Sequence, residues 1–155
     1  MTFQEAVKAT PSVSGHLRQG LQALRKDHRK LTKISDSKQL DGSLNLDNAL
    51  LRAKSNEPRW DYGVGLAIVH GSVRAVWIEF HPAASSHVGP VLAKFHWLCE
   101  WLRDEAPALN RLKARYVWVA TGSVAFPANS RERRLLAKNG LMFRAKRLNL
   151  GGFAN

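Results

Sequence analysis

The sequence predicts one α/β domain in which a central mixed β-sheet is flanked by helices. Three observations lead to this class. The chain has 155 residues, which is enough for one hydrophobic core but not for two independent ones. Segments with the period of a strand alternate with segments that have the period of a helix. No internal repeat or low-complexity tract interrupts the alternation.

The composition excludes several other classes of protein. No apolar run approaches the ~20 residues that span a bilayer, and the N-terminus lacks the apolar region of a secretory signal. We therefore expect a cytoplasmic protein that does not enter a membrane. The single cysteine, Cys99, excludes an internal disulfide and a zinc site built from cysteines.

The first third of the chain is predicted to be mainly helical. At about residues 13–33, leucines recur at helical spacing and basic residues fill the other positions, which predicts a basic amphipathic helix. The polar segment that follows contains a turn at Asp41-Gly42 and a short helix with Asp47 as its N-cap. The predicted order of elements thus has no strand before residue 61.

The rest of the chain alternates strands and helices. Strands at 61–69 and 74–81 are joined by a hairpin-like connection. The almost wholly apolar segment 115–122 is typical of a central strand covered on both faces. A short helix at 130–140 and a last strand at 141–150 follow. Between the second and third strands lies a helix whose buried stripe comprises Val91, Phe95, Leu98 and Leu102.

Net charge is the strongest global signal. The chain carries 24 Lys and Arg against 12 Asp and Glu, a net charge of +12, and the excess is concentrated at 18–33 and 111–147. Because counterion release from phosphates dominates nucleic-acid affinity, a nucleic-acid partner is predicted. A merely solubilising surface is the alternative. The candidate nucleic-acid-binding residues are Arg18, Arg25, Lys26, Arg29, Lys30, Arg131, Arg133 and Arg134.

Acidic residues lie at the ends of the two paired strands. Asp61 opens the run D-Y-G-V-G-L-A-I-V, and Glu79 and His81 lie in R-A-V-W-I-E-F-H-P. Since residues i and i+2 of a strand share a face, Glu79 and His81 lie side by side, opposite an apolar face of Val76, Ile78 and Phe80. Polar groups near a core cost free energy unless they are paired, so this position is predicted to be a functional site.

This layout resembles the PD-(D/E)xK nuclease superfamily, which has the restriction-endonuclease-like fold. The matching stretch is W-D-Y-G-V-G … W-I-E-F-H, with Asp61 and Glu79 at the two acid positions. The resemblance implies an αβββαβ-type core and a metal-dependent endonuclease that hydrolyses phosphodiester bonds in DNA. It extends from the basic helix to about Gly122.

The expected site has carboxylate ligands and one basic partner. Mg²⁺, or Mn²⁺ in its place, would be held by Asp61, Glu79 and the carbonyl of Phe80, because Mg²⁺ prefers oxygen ligands and keeps several waters. His81 occupies the position where the family usually has lysine. Members of the superfamily are known to supply the lysine from the neighbouring helix, where this chain has Lys94. The catalytic candidates are therefore Asp61, Glu79, His81 and Lys94.

Other interpretations of these residues stay open at this point. Asp61 could cap a turn or pair with Arg59 or Arg74, and Glu79 could pair with an arginine. Lys94 could be a solvated helix charge. Gly63 and Gly65 on the Asp61 face would leave room for a nucleic-acid backbone.

Two other functions compete with the nuclease. One is a basic nucleic-acid-binding protein without catalysis. The other is a metal-independent ribonuclease toxin, in which His81 and Glu79 form an acid/base pair. A homodimer is left open.

Overall fold

The computed structural model describes residues 1–153, which form eight strands and six α-helices. The strands are β1 (Leu17–Arg18), β2 (Thr32–Lys33), β3 (Leu40–Asn45), β4 (Tyr62–Leu66), β5 (Ala75–Ala83), β6 (Ala114–Val124), β7 (Met142–Ala145) and β8 (Leu148–Asn149). The helices are α1 (Phe3–Lys8), α2 (Lys26–Lys30), α3 (Leu46–Ala49), α4 (Val88–Glu105), α5 (Pro107–Asn110) and α6 (Arg131–Lys138). None of these helices is long and apolar enough to cross a bilayer.

The main sheet has six strands in the order β1-β3-β4-β5-β6-β7. Its first four members are antiparallel neighbours, whereas β6 runs parallel to β5 and β7 parallel to β6. The carboxyl ends of β5, β6 and β7 therefore meet at one edge of the sheet. A separate parallel pair joins β2 to β8. The predicted α/β class with a mixed sheet and flanking helices is confirmed.

The alternation of β5 separates two hydrophobic cores. Val76, Ile78 and Phe80 belong to the core on one face, and Trp77 belongs to the core on the other face, beneath α4. The four predicted stripe residues of α4 are all buried in that second core. Glu79 points to the face that α4 covers and is completely buried. The predicted assignment of faces is confirmed.

The predicted helix at 13–33 is wrong. Leu17–Arg18 forms β1 at the edge of the sheet, and only Lys26–Lys30 is α-helical. Gly20 has φ +52°, a left-handed conformation that ends any helix passing through it. The leucines serve different cores: Leu17 packs against the core under α4, and Leu24 is buried in the other. Helical spacing in the sequence therefore did not correspond to one buried stripe.

Four smaller predictions also need correction. The segment predicted as turn and short helix contains a strand, β3, and the short helix α3 is capped by the side chain of Asn45 rather than by Asp47. The predicted strand 61–69 is regular only at Tyr62–Leu66. The predicted strand 141–150 is two strands, β7 and β8, separated by a turn in which Lys146 has φ +70°.

Gly63 makes room for an aromatic ring and not for a substrate. A Cβ atom built on Gly63 would lie 2.6 Å from the ring of Trp77, its cross-strand neighbour. At Gly65 the same atom would lie 2.6 Å from the Phe3 side chain and from the Asp41 carbonyl. The prediction that these glycines leave space for a nucleic-acid backbone is wrong, because protein side chains fill that space.

Gly63→Ala is accordingly expected to lower the free energy of unfolding by about 1–3 kcal/mol, because the rigid, fully buried Trp77 would have to move. Urea denaturation measures this change. The control is Gly89→Ala in the first turn of α4, where a Cβ meets nothing within 4 Å and alanine favours the helix. Equal stability of the two variants would contradict the steric argument.

Candidate active site

Asp61 is positioned by backbone hydrogen bonds just before β4. Its carbonyl accepts hydrogen bonds from the amides of Leu46 and Asp47 at 2.9 and 3.3 Å, where β3 gives way to α3. The β4–β5 ladder pairs Tyr62 with Ile78, so Asp61 and Glu79 are the next residues outward on the two strands. The predicted hairpin therefore brings the two acids together at the end of the ladder.

Side chains continue the ladder where backbone pairing stops. The amide of Asp61 donates to Glu79 Oε1 at 3.1 Å, and the amide of Phe80 donates to Asp61 Oδ2 at 3.0 Å. Each carboxylate is thus oriented by a backbone N–H of the opposite strand. These bonds occupy one oxygen of each acid, and the second oxygens, Asp61 Oδ1 and Glu79 Oε2, remain for other partners.

Lys94 reaches both of those second oxygens from α4. Its Nζ forms an ion pair with Glu79 Oε2 and lies 3.5 Å from Asp61 Oδ1. The side chains of Lys94 and Asp61 are 21% and 19% exposed, while Glu79 is inaccessible. The cluster therefore combines two carboxylates with one ammonium group, which leaves one negative charge in excess when both acids are ionised.

Burial and the excess negative charge both affect the pKa of Asp61. Burial, followed by the charge of Glu79, raises the pKa of Asp61 from 3.8 to about 7, against the opposing effect of Lys94. Burial alone would lower the pKa of Lys94, but the charges of Glu79 and Asp61 outweigh it and the pKa is raised. Lys94 is therefore an ammonium ion at neutral pH, and Asp61 accepts a proton readily there.

His81 lies beside the cluster but is not bonded into it. Its Nδ1 is 3.8 Å from Glu79 Oε2, and its side chain is 27% exposed. The ring meets that of His87 edge-on, with centroids 4.9 Å apart. His87 Nδ1 lies 2.8 Å from the carbonyl of Pro82, so this nitrogen carries the hydrogen. Lys94, and not His81, contacts both carboxylates.

The arginine ion pairs considered as alternatives for Asp61 and Glu79 do not form in the structure. Arg59 pairs with Asp47 at 3.0 Å, and Arg74 donates to the carbonyl of Gly71. Glu79 does have a cationic partner, but that partner is Lys94 and not an arginine. The interpretation of Lys94 as a solvated helix charge is likewise wrong.

The donor set suits a hard cation that keeps water ligands. Among residues 1–153, no group of three or more His, Cys, Asp or Glu side chains could enclose a metal ion. Mg²⁺ is commonly bound through one or two carboxylates, with water completing its octahedron. The second oxygens of Asp61 and Glu79 are donors of this kind, and both contact Lys94 Nζ. Binding of Mg²⁺ by these oxygens and by the carbonyl of Phe80 stays a prediction.

The predicted nucleic-acid-binding residues of α2 and those of α6 lie over opposite faces of the sheet. The helix α2 lies over the face where His28 stacks on Phe80, whereas Leu136 of α6 is buried in the core on the α4 side. Arg25 is also engaged in an ion pair with Asp27 at 2.7 Å. Arg18 lies at the β1 edge of the sheet.

The stacking of His28 on Phe80 was not predicted from the sequence. His28 stacks flat on the Phe80 ring at 4.3 Å between centroids, and its Nδ1 lies 2.8 Å from the hydroxyl oxygen of Tyr62. Burial lowers the pKa of His28, which favours the neutral imidazole for this contact. No spacing in the sequence indicated the contact, because His28 lay within the predicted basic helix.

Asp61→Asn is expected to raise the free energy of unfolding at pH 8, on the order of 2 kcal/mol, and to leave it unchanged near pH 4. The folded protein holds a proton on Asp61 up to about pH 7, whereas the unfolded chain releases it near 3.8. Stability due to that proton is therefore complete below about pH 4 and is lost as the pH rises through 7. Asparagine removes the titration.

Urea denaturation at several pH values measures this effect. The control is Asp104→Asn, because a hydrogen bond from Arg103 lowers the pKa of this exposed acid and no gain at pH 8 should follow. A difference between wild type and Asp61→Asn that does not change with pH would contradict the raised pKa.

Comparison of the chain with models of protein families, with curated proteins and with solved structures found no match in any of the three.

Proposed function

We propose that this protein is a metal-dependent nuclease that hydrolyses phosphodiester bonds in DNA at the Asp61–Glu79–Lys94 cluster. The observation that carries the proposal is the position of Lys94 Nζ, which contacts a carboxylate oxygen of each acid at the end of two paired strands. A structural ion pair needs one acid per lysine. Here a second, buried acid raises the cost of the cluster without adding a second cation.

The order of elements supports the same proposal. The segment from α1 to β6 contains a helix, the three antiparallel strands β3, β4 and β5, the helix α4 and the parallel strand β6. The order of β3, β4, β5, α4 and β6 is the one that a restriction-endonuclease-like core would need, with α1 in place of the predicted basic helix as its first helix. In the proposal, Asp61 and Glu79 take the two acid positions of the family, and Lys94 on the following helix supplies the lysine.

Each residue of the cluster has a distinct role in the proposal. Asp61 and Glu79 would hold Mg²⁺ or Mn²⁺ through their second oxygens, while the amides of Phe80 and Asp61 keep the carboxylates oriented. The ion, when bound, supplies charge stabilisation at the scissile phosphate and activates a water for attack. Neutralisation of the carboxylates leaves the Lys94 ammonium group available to a phosphate oxygen, where it stabilises the charge that develops during hydrolysis.

A metal-independent ribonuclease is the second candidate, favoured only by the 3.8 Å approach of His81 Nδ1 to Glu79 Oε2. A general base acts within hydrogen-bond reach, roughly 2.6–3.2 Å, or through one water. Lys94, and not His81, lies close to both carboxylates. The nuclease with a metal cofactor is therefore the better supported proposal.

The test is to incubate the protein with duplex, single-stranded and branched DNA and with RNA, in Mg²⁺, Mn²⁺ or EDTA. We expect cleavage of DNA with either metal and none in EDTA. We also expect binding that weakens steeply with salt. Cleavage of RNA in EDTA would favour the ribonuclease instead. Binding without cleavage of any substrate would leave a nucleic-acid-binding protein and refute the enzyme.

A further inference from the structure

A basic groove lies beside the end of β7, away from the Asp61–Glu79–Lys94 cluster. Its volume is about 270 Å³, and its polar lining consists of Lys33, Arg144, Arg147 and Asn149 over a floor that includes Leu148 and Phe153. An adjoining depression is lined by Lys33, Arg147 and Asn149 as well. No acidic residue lines either of them.

Within residues 1–153, the cations of this groove have no acidic partner. Lys33, Arg144 and Arg147 are all exposed, and none of them takes part in a salt bridge within residues 1–153. The Arg144 guanidinium donates a hydrogen bond to the carbonyl of its neighbour Phe143. Three like charges around one depression repel each other in the absence of an anion, and they attract a polyanion to it.

The backbone holds these side chains at one place despite their distance in sequence. The β2–β8 pair sets Lys33 opposite Asn149. Between β7 and β8 the chain turns sharply: Lys146 adopts φ +70°, and the amide of Arg147 donates to the carbonyl of Ala145 at 2.8 Å. A residue other than glycine in the left-handed region is strained, and strain of this kind concentrates at functional sites. The turn brings Arg144 and Arg147 to the same groove.

The groove and the acid cluster lie on opposite faces of the sheet. Phe80 of β5, Val119 of β6 and Arg144 of β7 occupy one row of the register, so their side chains point to the same face. Phe80 lies in the core on that face, as does Leu148 of the groove floor. Glu79 points to the other face, which α4 covers.

We propose that the groove of Lys33, Arg144 and Arg147 binds backbone phosphates of nucleic acid. That this nucleic acid is also the substrate of the acid cluster rests on the proposed nuclease function. Phosphate binding by the groove does not rest on it, and it is measured without metal.

The experiment compares two triple variants with wild type in EDTA, where no metal-dependent cleavage occurs. Lys33→Ala/Arg144→Ala/Arg147→Ala removes the groove cations. The control, Lys8→Ala/Arg111→Ala/Lys113→Ala, removes three exposed cations from α1 and from the segment before the amino end of β6, with the same change in net charge. Fluorescence anisotropy of a fluorescein-labelled DNA duplex gives the Kd at several salt concentrations. Circular dichroism checks the fold of both proteins.

We expect the groove variant to bind the duplex about tenfold more weakly. Its slope of log affinity against log salt should decrease by about 2 to 3, since each lost phosphate contact removes about 0.9 on duplex DNA. The slope of the control should differ from that of wild type by no more than about 0.9, the change expected for one phosphate contact. Equal slopes for the two folded variants would refute phosphate binding by the groove. A wild-type protein that does not bind the duplex would refute it as well.

The same preparations distinguish this proposal from the nuclease proposal. If the groove variant loses affinity and wild type does not cleave DNA in Mg²⁺, the nuclease proposal is refuted and phosphate binding by the groove is supported. Cleavage by wild type with equal affinities of both variants would keep the nuclease and refute the groove.

Discussion

Glu79→Gln is expected to lower the rate of DNA cleavage in Mg²⁺ by at least about a thousandfold. The substitution keeps the size of this buried side chain and removes the charge on which both the metal and Lys94 depend. Asp61→Asn is expected to lower the rate to a similar extent, since it replaces the other proposed carboxylate ligand of the metal by a neutral amide. Single-turnover cleavage of a labelled duplex at saturating metal measures both variants.

The matched control is Glu100→Gln, which makes the same change at an exposed position of α4 and should cleave at the wild-type rate. A second measurement does not depend on catalysis. Mg²⁺ should raise the Tm of wild type and of the control, because a ligand that binds only the folded state stabilises it, and should raise the Tm of the two acid variants much less. Cleavage near the wild-type rate by folded Glu79→Gln would remove the acid cluster from the mechanism.

The second large effect is expected at Lys94. Lys94→Ala should lower the cleavage rate by about 10² to 10³, the range found when a group that stabilises developing charge is removed. His81→Ala should lower it by about tenfold or less, because His81 is 3.8 Å from Glu79 and has no contact to Asp61 as short as that of Lys94. The order of the two variants identifies the residue that replaces the lysine missing from β5.

Arg103→Ala is the control for this pair, since it removes an exposed cation from the same helix. Lys94→Ala leaves two neighbouring carboxylates without their ammonium group, so circular dichroism and the Tm in Mg²⁺ are needed to show that it folds. An inactive His81→Ala beside a Lys94→Ala of nearly wild-type rate would make the imidazole the working group and refute the role of Lys94.

Local periodicity was sufficient for the central part of the fold. Alternation in β5 predicted which residues face each core, and the four residues predicted for the apolar stripe of α4 are among its eight buried residues. Both patterns depend only on the geometry of one element, which neighbours in sequence determine. The position of Asp61 beside Glu79 also followed, because a hairpin of two strands sets one residue opposite another.

The amino-terminal region shows where the same method fails. The leucines between residues 17 and 31 have helical spacing, yet the structure divides them between two cores and a left-handed Gly20 interrupts the chain. Periodicity states that residues are buried on one side of an element. It does not state that a single element contains them, since tertiary contacts override local propensity when the two compete.

The sequence by itself determined the class of the fold, the excess of positive charge and the pair of acids at the ends of two strands. Only the tertiary structure decided that Lys94 lies between those acids, that α2 and α6 lie over opposite faces, and that Lys33 shares a groove with Arg144 and Arg147. The physical reason is the range of each interaction. Period and turn chemistry act over a few residues, whereas these contacts depend on how helices cross the sheet and on which strands become neighbours.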